Sequence, residues 1–324
     1  MRKRPLFKNG PEISVLGLRL IAPPMAPRPR FGEQCLYEMK RLLDEPALAL
    51  VRKALALGMN FIDTDWASAN GHAEEIVGRV LRESGASAFV SSKGGPRFDF
   101  AGKLVSDNSR ANLMNQCEDS LQRIGLPRLD LFSVNWPDDR VECKQTARGL
   151  ADLAHNGRTS LLGAANVPLA VLEQLAPHMP LHVVQNPLSL LERTGARGVS
   201  RFCAQRGAAF VATDPLAYGI LEGKFTGNER FPEIDPERAG SLFKPPMFER
   251  AARFSAVLAE FAQARGTSRE TFSVAWALAQ PGVSAVLIDP QTASEAELWA
   301  PAADLALGDS DLRAIDALLA EHQL

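Results

Sequence analysis

The chain reads as a single (β/α)8 TIM barrel, and three observations carry that reading. Short apolar runs alternate with helical patterns along most of the sequence, the signature of βα units around a parallel sheet. The number of such runs is eight. The length, 324 residues, suits one decorated barrel, which typically takes about 250 residues, better than two domains. One domain spanning 1–324 is therefore expected.

The strand candidates are Leu18–Ala22, Asn60–Asp63, Ala88–Ser92, Leu129–Val134, Thr159–Gly163, His182–Gln185, Ala208–Ala212 and Ser284–Ile288. Each is apolar and β-branched or aromatic enough for a strand buried on both faces. Helical patterns follow at Pro46–Leu57, Ala73–Ser84, Ser109–Ile124, Val141–Asn156, Leu169–Ala176, Gly198–Arg206 and Ala293–Trp299, with a last helix at Asp309–Glu321. Thr267-Ser268-Arg269-Glu270 reads as a capping box opening a helix that Pro281 ends after Gln280. Before the first unit, Pro5-Leu6-Phe7, the turn residues Lys8-Asn9-Gly10 and Ile13-Ser14-Val15 read as an N-terminal β-hairpin placed to plug the barrel floor. Two long loops, Pro23–Asp44 and Thr213–Pro246, leave the C-terminal ends of strands. Barrel sites are built on that face, and loops of this length often serve as lids.

Composition narrows the function classes. The chain is 46% hydrophobic and 23% charged with a formal net charge of -2, so electrostatic capture of nucleic acid or of a membrane surface is not expected. Cys35, Cys117, Cys143 and Cys203 form no CxxC pair and show no metal-ligand spacing with a His, which points to reduced structural thiols and no metal. The apolar run Ile13–Ala22 is short and broken by Arg19. A signal peptide and a spanning helix are not expected, and the expected location is cytoplasmic. There is no G-x-G-x-x-G, Walker A, H-E-x-x-H or G-x-S-x-G, so any dinucleotide site is not of the Rossmann type.

Six ordered segments carry a more specific signal. Asn60-Phe61-Ile62-Asp63-Thr64-Asp65-Trp66-Ala67-Ser68 is followed by Ser120-Leu121-Gln122-Arg123-Ile124-Gly125 and Leu129-Asp130-Leu131-Phe132-Ser133-Val134-Asn135-Trp136-Pro137-Asp138. Then come Gly157-Arg158 with Gly163-Ala164-Ala165-Asn166, Val184-Gln185-Asn186-Pro187-Leu188-Ser189-Leu190-Leu191-Glu192-Arg193, and Pro215-Leu216-Ala217-Tyr218-Gly219-Ile220-Leu221-Glu222-Gly223-Lys224-Phe225. In order and spacing this set resembles the aldo-keto reductases over nearly the whole chain.

The resemblance implies a four-residue centre of Asp, Tyr, Lys and His. There a Tyr protonates a carbonyl oxygen as hydride arrives from a nicotinamide cofactor. Asp63 and Lys93 match the Asp and Lys, an ion pair expected in the barrel mouth. Ser68 stands where the Tyr is expected, and Asn135 where the His is expected. Ser is a much poorer proton donor than a phenol, and Asn donates a hydrogen bond but does not titrate. The centre is thus a degenerate tetrad. Tyr37 and Tyr218, the chain's two tyrosines, fall in the two long loops and are candidate replacement donors. Asp65 and His72 on the loop after the second strand are further candidates, and Trp66 is a candidate pocket wall.

For the cofactor, the resemblance implies Asn166 and Gln185 on the carboxamide, with Ala165 in place of a companion Ser. It puts Thr213 where an aromatic stacks under nicotinamide, Asp214 where a Ser is usual, and Leu216, Gly219 and Lys224 in the phosphate loop. After the eighth strand Asp289 replaces a Gly and Trp299 an Asn. No basic residue is present for a 2′-phosphate, so NAD is easier to defend than the family's usual NADP. The main expectation, resting on Asn166, Gln185 and the Pro215–Lys224 loop, is a divergent oxidoreductase acting on a carbonyl or alcohol of a small molecule with NADP or NAD and a non-standard proton donor. The alternatives are a cofactor-independent lyase, dehydratase or isomerase, and a non-catalytic binding protein.

Overall fold

The computed structural model describes residues 1–20, 33–99, 104–229 and 240–324; for residues 33–43, 98 and 104 the description covers the backbone alone. An N-terminal hairpin pairs β1 (Lys3–Pro5) with β2 (Glu12–Ser14) antiparallel. Eight strands then close a parallel barrel: β3 (Leu16–Arg19), β4 (Phe61–Asp63), β5 (Phe89–Gly94), β8 (Leu129–Asn135), β9 (Thr159–Ala165), β10 (Val183–Pro187), β11 (Ala209–Thr213) and β12 (Val283–Ile288). Between β5 and β8 a small antiparallel pair, β6 (Pro96–Phe98) and β7 (Leu104–Ser106), forms outside the barrel. The outer ring comprises α1 (Glu33–Ala56), α2 (His72–Ser84), α3 (Arg110–Ile124), α4 (Cys143–His155), α5 (Leu169–Leu175), α6 (Thr194–Arg206), α7 (Met247–Gln263), α8 (Arg269–Ala279), α9 (Ala293–Trp299) and α10 (Asp309–Glu321).

All eight barrel strands fall where the sequence places them, with shifted ends. The first begins at Leu16 rather than Leu18, because Leu16 and Gly17 pair with Val286 and Leu287 of β12; Ile21 and Ala22 lie outside the described residues. Three helices depart from expectation. α1 starts at Glu33 and runs through Pro46. The preceding residues are rich in strong helix formers, and Pro removes only one backbone donor there. Most of the supposed Pro23–Asp44 loop is therefore helix or lies outside the described residues. α7 fills a stretch for which no element was expected. The cap of α8 is Ser268, whose hydroxyl accepts from Thr271 N at 3.1 Å, one residue later than the capping box predicts.

Alternation along each strand separates two cores. Leu16, Leu18, Ile62, Val90, Phe132, Val134, Val184, Phe210, Val286 and Ile288 point outward and pack under the helices. Phe61, Phe89, Leu131, Val183, Ala209, Val211, Ala285 and Leu287 point inward and fill the lower barrel, where Leu6 and Ile13 of the hairpin join them. The hairpin plugs the floor as expected, and burying each of those two side chains is worth roughly 1.5–3 kcal/mol. Gly17 is inward too: a Cβ there would stand 2.7 Å from Leu287 Cδ2 and 2.8 Å from the Phe61 carbonyl oxygen, so the barrel wall admits only a glycine.

Candidate active site

The same alternation, continued two residues upward, turns polar on strand after strand. Register sets Arg19 beside Asp63, Asp63 beside Ser91, Lys93 beside Ser133, and Asn135 and Gln185 beside Ala165. Arg19, Asp63, Lys93, Asn135, Gln185 and Thr213 thus share the inward face above Gly17, Phe61, Phe89, Leu131, Val183 and Val211. This is the C-terminal mouth, where barrels carry their sites.

Asp63 is fully buried and accepts hydrogen bonds from three side chains: Lys93 Nζ, Ser91 Oγ, and Gln185 Nε2 at 3.0 Å. Lys93, 5% exposed, also donates to the Thr64 carbonyl at 3.0 Å. Two of its three ammonium protons are so engaged, and the pair inferred from the sequence exists as a closed, desolvated unit. Asn135 accepts from Asn166 Nδ2 through its Oδ1 at 2.8 Å. Its own Nδ2 therefore remains a donor of fixed orientation.

Other positions singled out by the sequence have partners of their own. Ser68 donates its hydroxyl to Asp65 Oδ2 at 2.9 Å and its backbone N–H to Asp65 Oδ1 at 2.7 Å, so both residues are occupied in closing the 3₁₀ turn at Ser68–Gly71. Trp66 Nε1 donates to Asp119 at 2.9 Å, and the Arg123 guanidinium lies 5.4 Å from its ring centre. His72 sits between Asp44 (2.6 Å) and Glu75 (2.9 Å), tying α1 to α2. The Tyr218 ring packs on Phe243, 6.1 Å between centres, within a cluster that includes Phe225 and Phe248. Tyr37 falls in α1, and its side chain lies outside the described residues. Leu216 is buried, and Gly219 takes a left-handed φ of 94° in the turn that carries Tyr218. Lys224 pairs with Glu222 at 2.6 Å.

A feature the sequence reading missed crosses the mouth. Arg19, at the end of β3, donates through Nη1 to Asp214 Oδ2 at 3.1 Å and through Nη2 to Asp214 Oδ1 and, at 3.2 Å, to Asp289 Oδ2. Asp214 and Asp289 are the first residues beyond β11 and β12. Burial disfavours the charge on Arg19, but Asp214 and Asp289, with Asp63 behind them, outweigh it and hold its pKa well above the ordinary value. Asp289 is pushed upward by burial and by Asp214, against the pull of Arg19. Burial, then Asp214, also raises Glu192, and burial raises Glu222 against its pairing with Lys224. The signal for Arg19 was present: it lies two residues beyond Gly17, on the inward side of a strand whose Leu16 and Leu18 face outward.

Two further observations mark this end as built for use. Among the described residues, the buried atoms without a hydrogen-bond partner include Arg19 Nε, Thr64 Oγ1, Gln185 Oε1, Thr213 Oγ1 and Glu192 Oε2, whereas buried polar groups are ordinarily paired. The residues leaving three strands, Trp136 (φ 62°), Asn166 (φ 55°) and Asp214 (φ 53°), are all left-handed without being glycine. Such conformations cost on the order of 1–3 kcal/mol each and cluster at functional sites.

Fold and site together define a (β/α)8 barrel enzyme-type scaffold with a buried carboxylate–ammonium pair at its C-terminal mouth. Residues 31–320 match the Aldo/keto reductase family, and the chain belongs to that family. It is 29% identical to the L-glyceraldehyde 3-phosphate reductase of Escherichia coli strain K12 over 326 residues, covering 95% of this chain and 91% of that one. Among solved structures, the glycerol dehydrogenase of Gluconobacter oxydans superposes with a TM-score of 0.82 at 27% identity, covering 99% of this chain and 95% of that chain. An aldo/keto reductase from Klebsiella pneumoniae, in complex with NADP and acetate, superposes at 0.73 with 20% identity, covering 98% and 95%. Among the described residues no helix is long and apolar enough to cross a membrane.

Nicotinamide cofactors are general in this family, and the residues here meet the two ends of such a molecule differently. Gln185 Oε1, a buried acceptor, suits a carboxamide N–H, and Asn166 follows the neighbouring strand. Among the described residues the pyrophosphate end does not fit. Barrels hold phosphate in the loops after strands seven and eight; here those loops open with Asp214 and Asp289. Arg19 is held between them, and Lys224, 45% exposed, pairs with Glu222. Two like charges 4 Å apart near a protein surface repel by about 4 kcal/mol, and among the described residues one guanidinium faces the two carboxylates at these loop starts.

Proposed function

We propose that this barrel catalyses acid–base chemistry beside a carbonyl of a small molecule, in the class of an isomerase, dehydratase or lyase, without a dinucleotide. The observation carrying the proposal is the intact, buried Asp63–Lys93 pair next to a mouth whose phosphate position is filled by Arg19 and two carboxylates. In this reading the third Lys93 proton and Asn135 Nδ2 donate to the substrate oxygen. They stabilise the negative charge that develops as a neighbouring C–H or C–C bond breaks. Asp63 holds the Lys93 ammonium in place. A rim carboxylate takes the proton released from carbon. Glu192 suits that role, since its Oε2 has no partner among the described residues and burial makes it a stronger base than an ordinary Glu.

The test is deuterium wash-in, followed by proton NMR, from D2O into short α-hydroxy aldehydes and ketones with no dinucleotide present. The expected result is exchange that Lys93→Met and Asp63→Asn abolish. A second reading, hydride transfer with a non-standard proton donor, is favoured by Gln185 Oε1 and by the reductase relatives. A Lys93-dependent change in NADPH absorbance with the same compounds would establish it and overturn the first.

A further inference from the structure

The Arg19 bridge joins the ends of the first, seventh and eighth strands, three neighbours in the closed barrel. A strut between exposed loops would leave the mouth open. This one does not, because Arg19 projects from an inward strand position and its side chain is 11% exposed. Asp214 is 4% exposed, so the bidentate pair is desolvated. Breaking one partner of such a pair leaves an uncompensated buried charge, which makes the bridge a persistent occupant rather than a contact that opens for a ligand. It stands across the loops after strands seven and eight, where barrels admit phosphate groups. Beside it, the carboxylates of Asp289 and Glu295 add to the negative field at the buried Glu222.

We propose that Arg19, clasped by Asp214 and Asp289, is a built-in occupant of the barrel's phosphate position, and that this clasp excludes nicotinamide dinucleotides from the mouth. In the cofactor-free reading, on which this proposal rests, the clasp is the specificity determinant: it admits small uncharged or cationic substrates and turns away pyrophosphate-bearing ones. Neutralising and shortening its three members reopens the position.

The experiment titrates NADPH and NADH, by fluorescence, into the wild-type chain and into the triple variant Arg19→Ala/Asp214→Ser/Asp289→Gly, with circular dichroism confirming that both are folded. The wild type is expected not to saturate at millimolar ligand, and the triple variant to bind at least about tenfold more tightly, a difference of 1.4 kcal/mol. A second variant, Asp214→Asn/Asp289→Asn, preserves shape and leaves Arg19 cationic without carboxylate partners. Calorimetry is expected to show it binding inorganic pyrophosphate while the wild type does not, a result that holds even if the triple variant fails to fold. Micromolar dinucleotide binding by the wild type overturns the proposal and the cofactor-free reaction together. A wild type that binds nothing, with folded variants that gain nothing, overturns the clasp alone.

Discussion

The floor and the mouth of this barrel are built from the same eight strands, two to four residues apart, and follow opposite rules. At the floor every inward side chain is apolar, and the hairpin seals it with Leu6 and Ile13, both 1% exposed or less. At the mouth the inward positions are Arg19, Asp63, Lys93, Asn135, Gln185 and Thr213. Among the described residues several of their buried atoms lack partners, and three strand exits are left-handed. The floor is optimised for stability alone. The mouth gives up stability to hold charge and hydrogen-bonding capacity in fixed places, which is how a site is made in a scaffold that must nevertheless stay folded.

Substitutions at the two ends should therefore separate activity from stability. The largest effect belongs to Lys93→Met, expected to lower turnover by about 10²–10⁴, the usual worth of a positioned proton donor. Circular dichroism should show it folded, at a stability cost from the unpaired Asp63 carboxylate, so turnover is read per folded molecule. Ile13→Ala at the floor should do the reverse. It should cost about 2–5 kcal/mol in denaturant unfolding, the range for emptying a buried aliphatic site, while activity per folded molecule is unchanged. A floor variant that silences the enzyme while folded would break the comparison.

Smaller effects sharpen it. Thr213→Val removes a buried hydroxyl without a partner in the described residues and keeps its shape. It should stabilise the fold by about 1 kcal/mol or less, and weaken substrate binding, measured as a higher KM. The smallest effect is a pH dependence at Glu192. Burial raises its pKa in the folded protein, so its contribution to stability is fully present below the unfolded pKa and is lost as pH rises through the folded one. Glu192→Gln should thus melt at a higher temperature than the wild type at neutral pH. That advantage should shrink as the pH is lowered toward 4.5, in thermal melts at a series of pH values.

The barrel was legible because parallel strands buried on both faces leave continuous apolar runs, and each of the eight runs became a strand. Asp63, Lys93, Gln185, Asn166 and Asn135 were singled out through the family resemblance, and the structure gathers them at the mouth as the Asp63–Lys93–Gln185 cluster and the Asn135–Asn166 pair. Ser68 and His72 have partners the sequence did not suggest. Local turn and inter-helix partners claim them, and such partners do not show in a linear pattern. Arg19 was missed for a different reason. A lone Arg in an apolar run reads as an interruption, and its meaning depends on two carboxylates about 200 and 270 positions away that only barrel closure brings near. Met247–Gln263 was passed over because it follows a long stretch without apolar periodicity.

The most direct measurement of the central claim is a calorimetric titration of the wild-type protein with NADPH, NADP, NADH and NAD in turn. The account predicts no saturable heat with any of the four up to millimolar concentration. Micromolar binding of any one would contradict it, placing a pyrophosphate where Arg19, Asp214 and Asp289 now meet and returning the mouth to hydride transfer.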